Sequence, residues 1–286
     1  MSTPQDNPVS HRLLDTRTRQ LVFLGDSATP ALWDRLWSLD EAAVSASLLP
    51  TRSTDLLVRF TRRFLRPEDG AVLEGGCGMG QFVAALARGG FRSIGIDFAP
   101  ETVRALKRFA PQLDVRLGDL RRIEMPDASV AGYWSLGVIE HFWGGYDALA
   151  CEMARVVQDG GYLFCSFPYM SPFRRAKARL GLYPTQDFHA EPDGFYQFAL
   201  RDNLVIERMA SHGFDLVERS SSSALKGVLG ECGPMSAPLE RLYYYSGRSI
   251  PVRAARRAAE SMLASLGTSH SMLLVFRRRQ RRAGGG

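Results

Sequence analysis

The sequence lacks any run of about 18 consecutive apolar residues, the length that a helix needs to cross a bilayer. Its first 15 residues, MSTPQDNPVSHRLLD, also lack the apolar stretch of a signal peptide. These absences predict a protein that does not span a membrane and that works in the cytoplasm. No internal repeat is evident, so repeat architectures are excluded as well.

Cysteine is scarce, and the four cysteines are widely spaced. They are Cys77, Cys151, Cys165 and Cys232, and no two of them form a C-x-x-C pair. No histidine lies at metal-ligand spacing from them. The sequence therefore predicts no metal site, and we expect the thiols to be reduced and mostly buried.

Positive charge exceeds negative charge by six over the 286 residues. Much of this excess lies at the C-terminal end, in Arg277, Arg278, Arg279, Arg281 and Arg282. A second basic run, residues 173–179, could meet a phosphate or carboxylate of a substrate, although a solvated helix face is the commoner explanation. The charge therefore gives only weak support to nucleic acid as a partner.

Short apolar runs alternate with amphipathic stretches through the middle of the chain, which is typical of a parallel sheet covered by helices. The runs predict five strands: Ala71–Glu74, Ser93–Asp97, Asp114–Leu117, Val130–Leu136 and Gly161–Phe167. Two later strands, Phe214–Glu218 and Ser271–Phe276, are predicted to pair antiparallel. The fold class is therefore α/β, a Rossmann-like, doubly wound, mostly parallel sheet of seven strands with an antiparallel last strand and helical cap insertions.

Three segments lie outside this pattern. We expect residues 1–52 to form an N-terminal helical lid, because Trp33 and Trp37 are four residues apart and share one helix face. Fixed packing of these tryptophans is the alternative. Residues 53–286 would form the main domain, with cap insertions at about 168–200 and 220–269, since loops of that length are uncommon.

A glycine-rich segment joins the first predicted strand to the first helix. Residues 74–80 read E-G-G-C-G-M-G, so glycines stand at 76, 78 and 80. A dinucleotide fingerprint, G-x-G-x-x-G, would need glycine at position 81, where this chain has Gln81. No P-loop lysine is present either. Glycine at such a turn lets the backbone approach a ligand closely.

This E-x-G-x-G-x-G pattern resembles motif I of the class I S-adenosylmethionine-dependent methyltransferases. The resemblance implies that S-adenosyl-L-methionine is the cofactor and S-adenosyl-L-homocysteine the product. Glu74 would help to hold the methionine ammonium, and the backbone of the loop would surround the cofactor at Gly76, Cys77, Gly78 and Gly80. A glycine-rich turn without any ligand is the alternative.

The resemblance implies further cofactor contacts at strand ends. Asp97 ends the second of the five strands, where its carboxylate would accept hydrogen bonds from both ribose hydroxyls, with Phe98 beside it. Ser135 and Leu136 close the fourth strand and would flank the methionine end. An aspartate that only caps a strand or helix is the alternative for Asp97.

Gly118-Asp119-Leu120 follows the third strand and resembles the family element that binds adenine. Asp119 would meet the adenine amino group, and Leu120 would pack on the ring. Because Arg121 and Arg122 are adjacent, a surface ion pair is the competing interpretation of Asp119.

The resemblance covers residues 72–168, about a third of the chain. Within the family it is closest to small-molecule enzymes of the ubiquinone-biosynthesis and natural-product types, whose fourth strand is followed by a segment like Ile139-Glu140-His141-Phe142. A small-molecule acceptor, methylated on oxygen, is thus the leading hypothesis. An RNA methyltransferase and a noncatalytic S-adenosylmethionine-binding module are the alternatives, and the sequence does not indicate an oligomeric state.

A sulfonium makes the methyl group electrophilic, so the protein mainly has to align the acceptor and exclude water. A hydroxyl acceptor gains from a nearby base. His141 is the first candidate for this base and His189 the second, while Glu140 would orient the imidazole or help to hold a divalent cation. In the structural alternative, Glu140 caps the next helix and His141 packs beside aromatic neighbours.

Overall fold

The structure is a computed structural model that describes residues 9–232, 237–245, 247 and 249–280. In chain order, its strands are β1 (Val9–Asp15), β2 (Leu21–Gly25), β3 (Val72–Gly75), β4 (Ser93–Asp97), β5 (Asp114–Leu117), β6 (Val130–Leu136), β7 (Val157–Pro168), β8 (Thr185–Gln186), β9 (Phe195–Ala199), β10 (Phe214–Ser222) and β11 (Ser271–Arg278). Its α-helices are α1 (Pro30–Leu36), α2 (Glu41–Ser47), α3 (Arg52–Thr61), α4 (Gln81–Arg88), α5 (Pro100–Phe109), α6 (Asp147–Val156), α7 (Pro172–Arg179), α8 (Asp202–Ser211), α9 (Ala224–Cys232), α10 (Ala237–Tyr243) and α11 (Ile250–Ser265).

Seven strands form the central sheet, in the order β10-β11-β7-β6-β3-β4-β5. Strands β5, β4, β3, β6 and β7 pair in parallel, whereas β11 runs antiparallel to both β7 and β10. This confirms the predicted fold class. Strand β7 begins at Val157, before the predicted Gly161, because Val157 pairs with Val130 ahead of a register shift.

The central strands are buried on both faces, as their apolar sequences require. Leu73 of β3 packs in a cluster with Leu149 and Met153 of α6. Its neighbour Val72 belongs to a different cluster, with Leu86 of α4. Successive side chains of a strand point to opposite faces, so these two residues attach helices to the two sides of one sheet.

The helical prediction for residues 1–52 is wrong for the first described segment. Strands β1 and β2 form a hairpin there, and β2 pairs with β9 in a second sheet of order β8-β1-β2-β9. The hairpin is stabilised by β9, a segment far along the chain, so local sequence does not reveal it. Helices α1 and α2 follow the hairpin.

The two predicted insertions contain helices. The first carries α7 and also contributes β8 and β9 to the second sheet. The second carries α9, α10 and α11 between the antiparallel strands β10 and β11. Arg281 and Arg282 of the basic C-terminal run lie outside the described residues. Along the described ranges, no helix is both long and apolar enough to cross a membrane.

Candidate functional site

The glycine loop between β3 and α4 has a backbone that only glycine adopts easily. Gly76 has a φ of +75°, and a Cβ there would lie 2.7 Å from Cγ2 of Val138. Gly80 has a φ of +69° and precedes the first residue of α4. A side chain at position 76 would therefore close the gap between the loop and the residues after β6.

A cleft of about 910 Å³ lies over this loop, at the carboxyl ends of β3, β4 and β6. Ligands of doubly wound sheets bind at this edge. The predicted cofactor residues that line the cleft are Glu74, Gly76, Cys77, Gly78, Asp97, Phe98, Asp119, Leu120 and Leu136. Gly80 and Ser135 do not line it, and Ser135 is fully buried in β6.

Two buried carboxyl groups lie on the loop side of the cleft. Glu74 is 2% exposed, and its Oε2 has no hydrogen-bond partner among the described residues. Burial, and then the charge of Asp97, raises the pKa of Glu74 well above its ordinary value. A cationic or N–H donor partner would satisfy this oxygen, because an unpaired buried carboxylate is costly.

Asp97 holds the glycine loop in place as well as lining the cleft. Its Oδ2 accepts a hydrogen bond from the backbone N–H of Gly78 at 2.7 Å, and its Oδ1 accepts one from Ala99 at 2.9 Å. Burial raises the pKa of Asp97 despite these two bonds. Each oxygen retains a second acceptor position for a ligand hydroxyl.

These groups fit the cofactor that the sequence resemblance implies. An unpartnered buried carboxylate oxygen at Glu74 suits an ammonium group, and the free acceptor positions of Asp97 suit ribose hydroxyls. The loop backbone at Gly76 and Gly78 leaves space beside both. The roles of these residues in binding remain predictions.

Asp119 forms the ion pair that was the alternative for it, and its predicted contact with adenine stays a prediction. It lines the cleft, and its carboxylate also accepts hydrogen bonds from Arg121 at 2.7–3.0 Å. This pairing lowers the pKa of Asp119 and keeps it ionised. Arg121 already donates hydrogen bonds to both carboxylate oxygens of Asp119. An adenine amino group would therefore meet the Asp119–Arg121 pair rather than Asp119 alone.

His141 lies in a short 3₁₀ turn, Ile139–His141, after β6 and lines the cleft. Its Nδ1 is 2.6 Å from the carbonyl oxygen of Tyr196, so Nδ1 carries the proton and Nε2 is left as the basic nitrogen. The ring packs edge-on against Trp33, with centroids 5.3 Å apart. Burial lowers the pKa of His141 to about 4, which keeps the imidazole neutral at physiological pH.

Glu140 and His189 do not line the cleft, where their predicted catalytic roles would place them. Glu140 is 2% exposed and does not line the cleft, and the oxygen that orients His141 is the Tyr196 carbonyl instead. Helix α6 has no side-chain cap, so Glu140 does not cap it either. The side chain of His189 is 79% exposed, beside Asp187 and away from the cleft.

Burial raises the pKa of Glu140 from 4.5 to about 8. The folded protein therefore keeps a proton that the unfolded chain loses above about pH 4.5, so stability falls as pH rises between these values. We expect the free energy of unfolding to fall by about 1 kcal/mol from pH 6 to 7 through this group. Glu140→Gln should remove that fall in urea titrations; an unchanged pH dependence would contradict a protonated Glu140.

Sequence reasoning did not identify Asp34, which attaches α1 to the cofactor side of the cleft. Its Oδ1 accepts hydrogen bonds from the backbone N–H and the hydroxyl of Thr102, both at 2.8 Å. Its Oδ2 accepts a hydrogen bond from the backbone N–H of Glu101 at 3.3 Å. Asp34 thus caps α5, whose own N-cap, Ala99, has no polar side chain. An aspartate that caps a different helix leaves no local sequence signal.

Helix α1 covers one side of the cleft through Trp33, Leu36 and Trp37. The sequence predicted Trp33 and Trp37 as part of a lid, and both lie at the cleft. Sequence reasoning missed the apolar residues Phe82, Val138 and Phe142, which also line it. Within the described ranges, no group of three or more His, Cys, Asp or Glu side chains is arranged to hold a metal ion.

Comparison with known proteins identifies the segment that forms the cleft floor. Residues 73–165 match a family model described as a methyltransferase domain. A probable S-adenosylmethionine-dependent methyltransferase of Mycolicibacterium smegmatis is 37% identical over 145 residues, covering 51% of this chain and 52% of that protein. One of Mycobacterium tuberculosis is 33% identical over 172 residues, covering 55% and 61%. The chain thus spans about half to three fifths of the length of these relatives.

A solved structure shows the same fold over most of the chain. It is a candidate methyltransferase of Haloferax volcanii in complex with the Trm112 methyltransferase activator. The TM-score is 0.52 at 16% sequence identity, and the match covers 88% of this chain and 96% of that one. At this identity the likeness concerns the fold alone.

Proposed function

We propose that this chain is a class I S-adenosylmethionine-dependent methyltransferase and that it methylates a small-molecule acceptor on oxygen. The observation that carries this proposal is the imidazole of His141 at the cleft, with its Nδ1 at hydrogen-bond distance from the carbonyl oxygen of Tyr196. Such an imidazole can accept a proton from an acceptor hydroxyl through Nε2.

The cofactor supplies a methyl group on a sulfonium, which is electrophilic without covalent help from the protein. The chain's own residues would bind and orient it. Glu74 would pair with its ammonium, Asp97 would hold the ribose, and the loop at Gly76 and Gly78 would lie against it. Because the site needs only alignment and exclusion of water, the covering helix α1 is part of the proposed mechanism.

We place the acceptor beside His141, in an apolar part of the cleft. Trp33, Leu36, Val138 and Phe142 line the cleft together with His141, and the Trp33 ring packs against the His141 ring. These side chains favour an acceptor that is largely apolar or aromatic and enters a covered cleft. An exposed basic groove, which an RNA backbone would need, is not what these residues form. This supports a small molecule over RNA.

The test is methyl transfer from radiolabelled S-adenosylmethionine to separated metabolite and RNA pools. We expect label in small molecules, with the methyl group on oxygen by mass spectrometry. Label in RNA would overturn the acceptor class. Binding of S-adenosylhomocysteine without transfer to either pool would indicate a noncatalytic module.

We also propose that the protein works in the cytoplasm.

We propose that α1 is a lid that closes over the cofactor and that Asp34 attaches this lid to α5 through Thr102. We expect S-adenosylhomocysteine to slow hydrogen exchange of residues 25–45, because Trp33 and Trp37 line the cleft. Asp34→Ala should speed exchange in α1 by losing the bonds to Thr102.

Asp26→Ala is the matched control for this prediction. It removes a carboxylate that pairs with Arg35 of the same helix at 2.5 Å, but on the exposed surface. Exchange in α1 should then stay at the wild-type rate, since exposed ion pairs contribute little. Identical exchange with and without S-adenosylhomocysteine would mean fixed packing rather than a lid.

A further inference from the structure

Helices α6 and α8 present two matched pairs of side chains to each other, away from the cleft. Residues four apart share one helix face. Asp147 and Cys151 form such a pair on α6, and Arg208 and His212 form one at the end of α8. The two pairs meet: His212 lies between Cys151 and Asp147, and Arg208 donates to Asp147.

The contacts arrange a thiol, an imidazole and a carboxylate in sequence. Nδ1 of His212 is 3.5 Å from Sγ of Cys151, and Nε2 of the same ring is 3.0 Å from Oδ1 of Asp147. Hydrogen bonds from Arg208, and then from His212, hold the pKa of Asp147 below its ordinary value. Asp147 is therefore ionised at neutral pH and accepts the proton on Nε2.

The position of that proton decides what Nδ1 can do. With Nε2 protonated toward Asp147, the lone pair of Nδ1 faces the thiol and can accept its proton. A nucleophile within reach of a base, which is itself oriented by a carboxylate, is the arrangement that activates nucleophilic cysteines. Cys151 is also exposed, so a small reagent can approach its sulfur.

We infer that Cys151 is a modification site, a nucleophilic thiol that exchanges with small-molecule disulfides. In the exchange, the Cys151 S–H proton passes to Nδ1 of His212, and the sulfur attacks one sulfur of the disulfide. The S–S bond of the reagent breaks, and its electron pair leaves on the departing thiolate, which takes the proton from His212. The products are a mixed disulfide on Cys151 and one small thiol.

The other three cysteines provide an internal comparison. Cys77 and Cys165 are buried, and Cys232 is half-buried. Burial raises the pKa of both Cys77 and Cys165, which keeps them as unreactive thiols. The sequence predicted mostly buried cysteines, but only Cys77 and Cys165 are buried, and Cys151 is exposed. Exposure alone would make Cys151 accessible, whereas the contact with His212 would make it react with disulfides faster than an ordinary exposed thiol.

The experiment is exchange of the intact protein with 5,5′-dithiobis(2-nitrobenzoate), followed by the released thiolate and by peptide mass spectrometry. We expect the first adduct on Cys151. His212→Ala should slow that adduct about tenfold, as expected when a thiol loses the general base that accepts its proton during attack. Asp147→Asn keeps the side-chain size and should slow the reaction less. His11→Ala, which removes an exposed histidine of β1, is the matched control.

The outcomes are distinguishable. Equal rates for Cys151 in the wild-type, His212→Ala and Asp147→Asn proteins would overturn the inference, because exposure alone would then explain the reaction. First modification at Cys232 would overturn it too. Should His212→Ala fail to fold, the rate in Asp147→Asn decides between the two results. Rate constants compared with those of glutathione at the same pH provide a reference for a thiol without a neighbouring base.

Discussion

Replacement of Asp97 by alanine should weaken binding of S-adenosylhomocysteine by roughly 1.5–3 kcal/mol, the scale for losing hydrogen bonds to a charged group. The ribose hydroxyls would lose the carboxylate that is proposed to accept their hydrogen bonds. The backbone N–H groups of Gly78 and Ala99 would lose their acceptors as well. Calorimetry on the folded variant measures the effect directly.

Asp114→Ala is the matched control for Asp97→Ala. Asp114 lies on the neighbouring strand β5, does not line the cleft and pairs with Arg116 on the exposed surface. Asp114→Ala changes the net charge by the same amount as Asp97→Ala, and we expect it to leave the affinity for S-adenosylhomocysteine unchanged. Asp97→Asn separates the two roles of Asp97, because an amide oxygen can still accept from one backbone N–H. Wild-type affinity in folded Asp97→Ala would remove the ribose assignment.

The sheet could be predicted because its strands are strongly apolar and regularly spaced. Even the antiparallel pair β10 and β11 followed from two short apolar runs, although α9, α10 and α11 separate them. The N-terminal hairpin could not be predicted in the same way. Strand β2 depends on hydrogen bonds to β9, and a partner so distant in sequence leaves no local pattern.

The candidate site divides along a similar line. The glycine spacing and Asp97 at a strand end were visible, since both follow from fixed positions in the βα unit. The orientation of His141 was not, because its partner is the backbone carbonyl of Tyr196, and every residue type carries that group. The burial of Glu140 beside it depends on the turn after β6, whose direction the residue pattern does not specify.

His189 shows the limit of inference from residue type alone. A histidine in a cap insertion was a reasonable second base, but its position depends on how residues 180–194 fold against the second sheet. The described structure places it on the surface beside Asp187. Asp34 is the reverse case, since its side chain has no local sequence signal and yet connects α1, which lines the cleft, to α5.

His141→Ala should bind S-adenosylhomocysteine with near wild-type affinity but lower turnover by on the order of 10²–10⁴, the range for losing a general base. An ordinary imidazole would give a pH limb near neutrality. With burial lowering its pKa to about 4, His141 is in its basic form above that pH, so wild-type activity should fall as pH drops through about 4.

The rings of Trp33 and Tyr196 pack against His141. Glu140 is adjacent in sequence, but burial raises its pKa to about 8, so it does not titrate near pH 4 and Glu140→Gln should keep the acidic limb. His11→Ala, on the exposed surface of β1, should keep wild-type turnover and serves as the control. A weakly basic imidazole favours the lower end of the expected loss, because general-base efficiency depends on basicity. Wild-type turnover in folded His141→Ala would rule out the base, and an acceptor methylated on carbon or an uncharged amine would then be favoured over a hydroxyl.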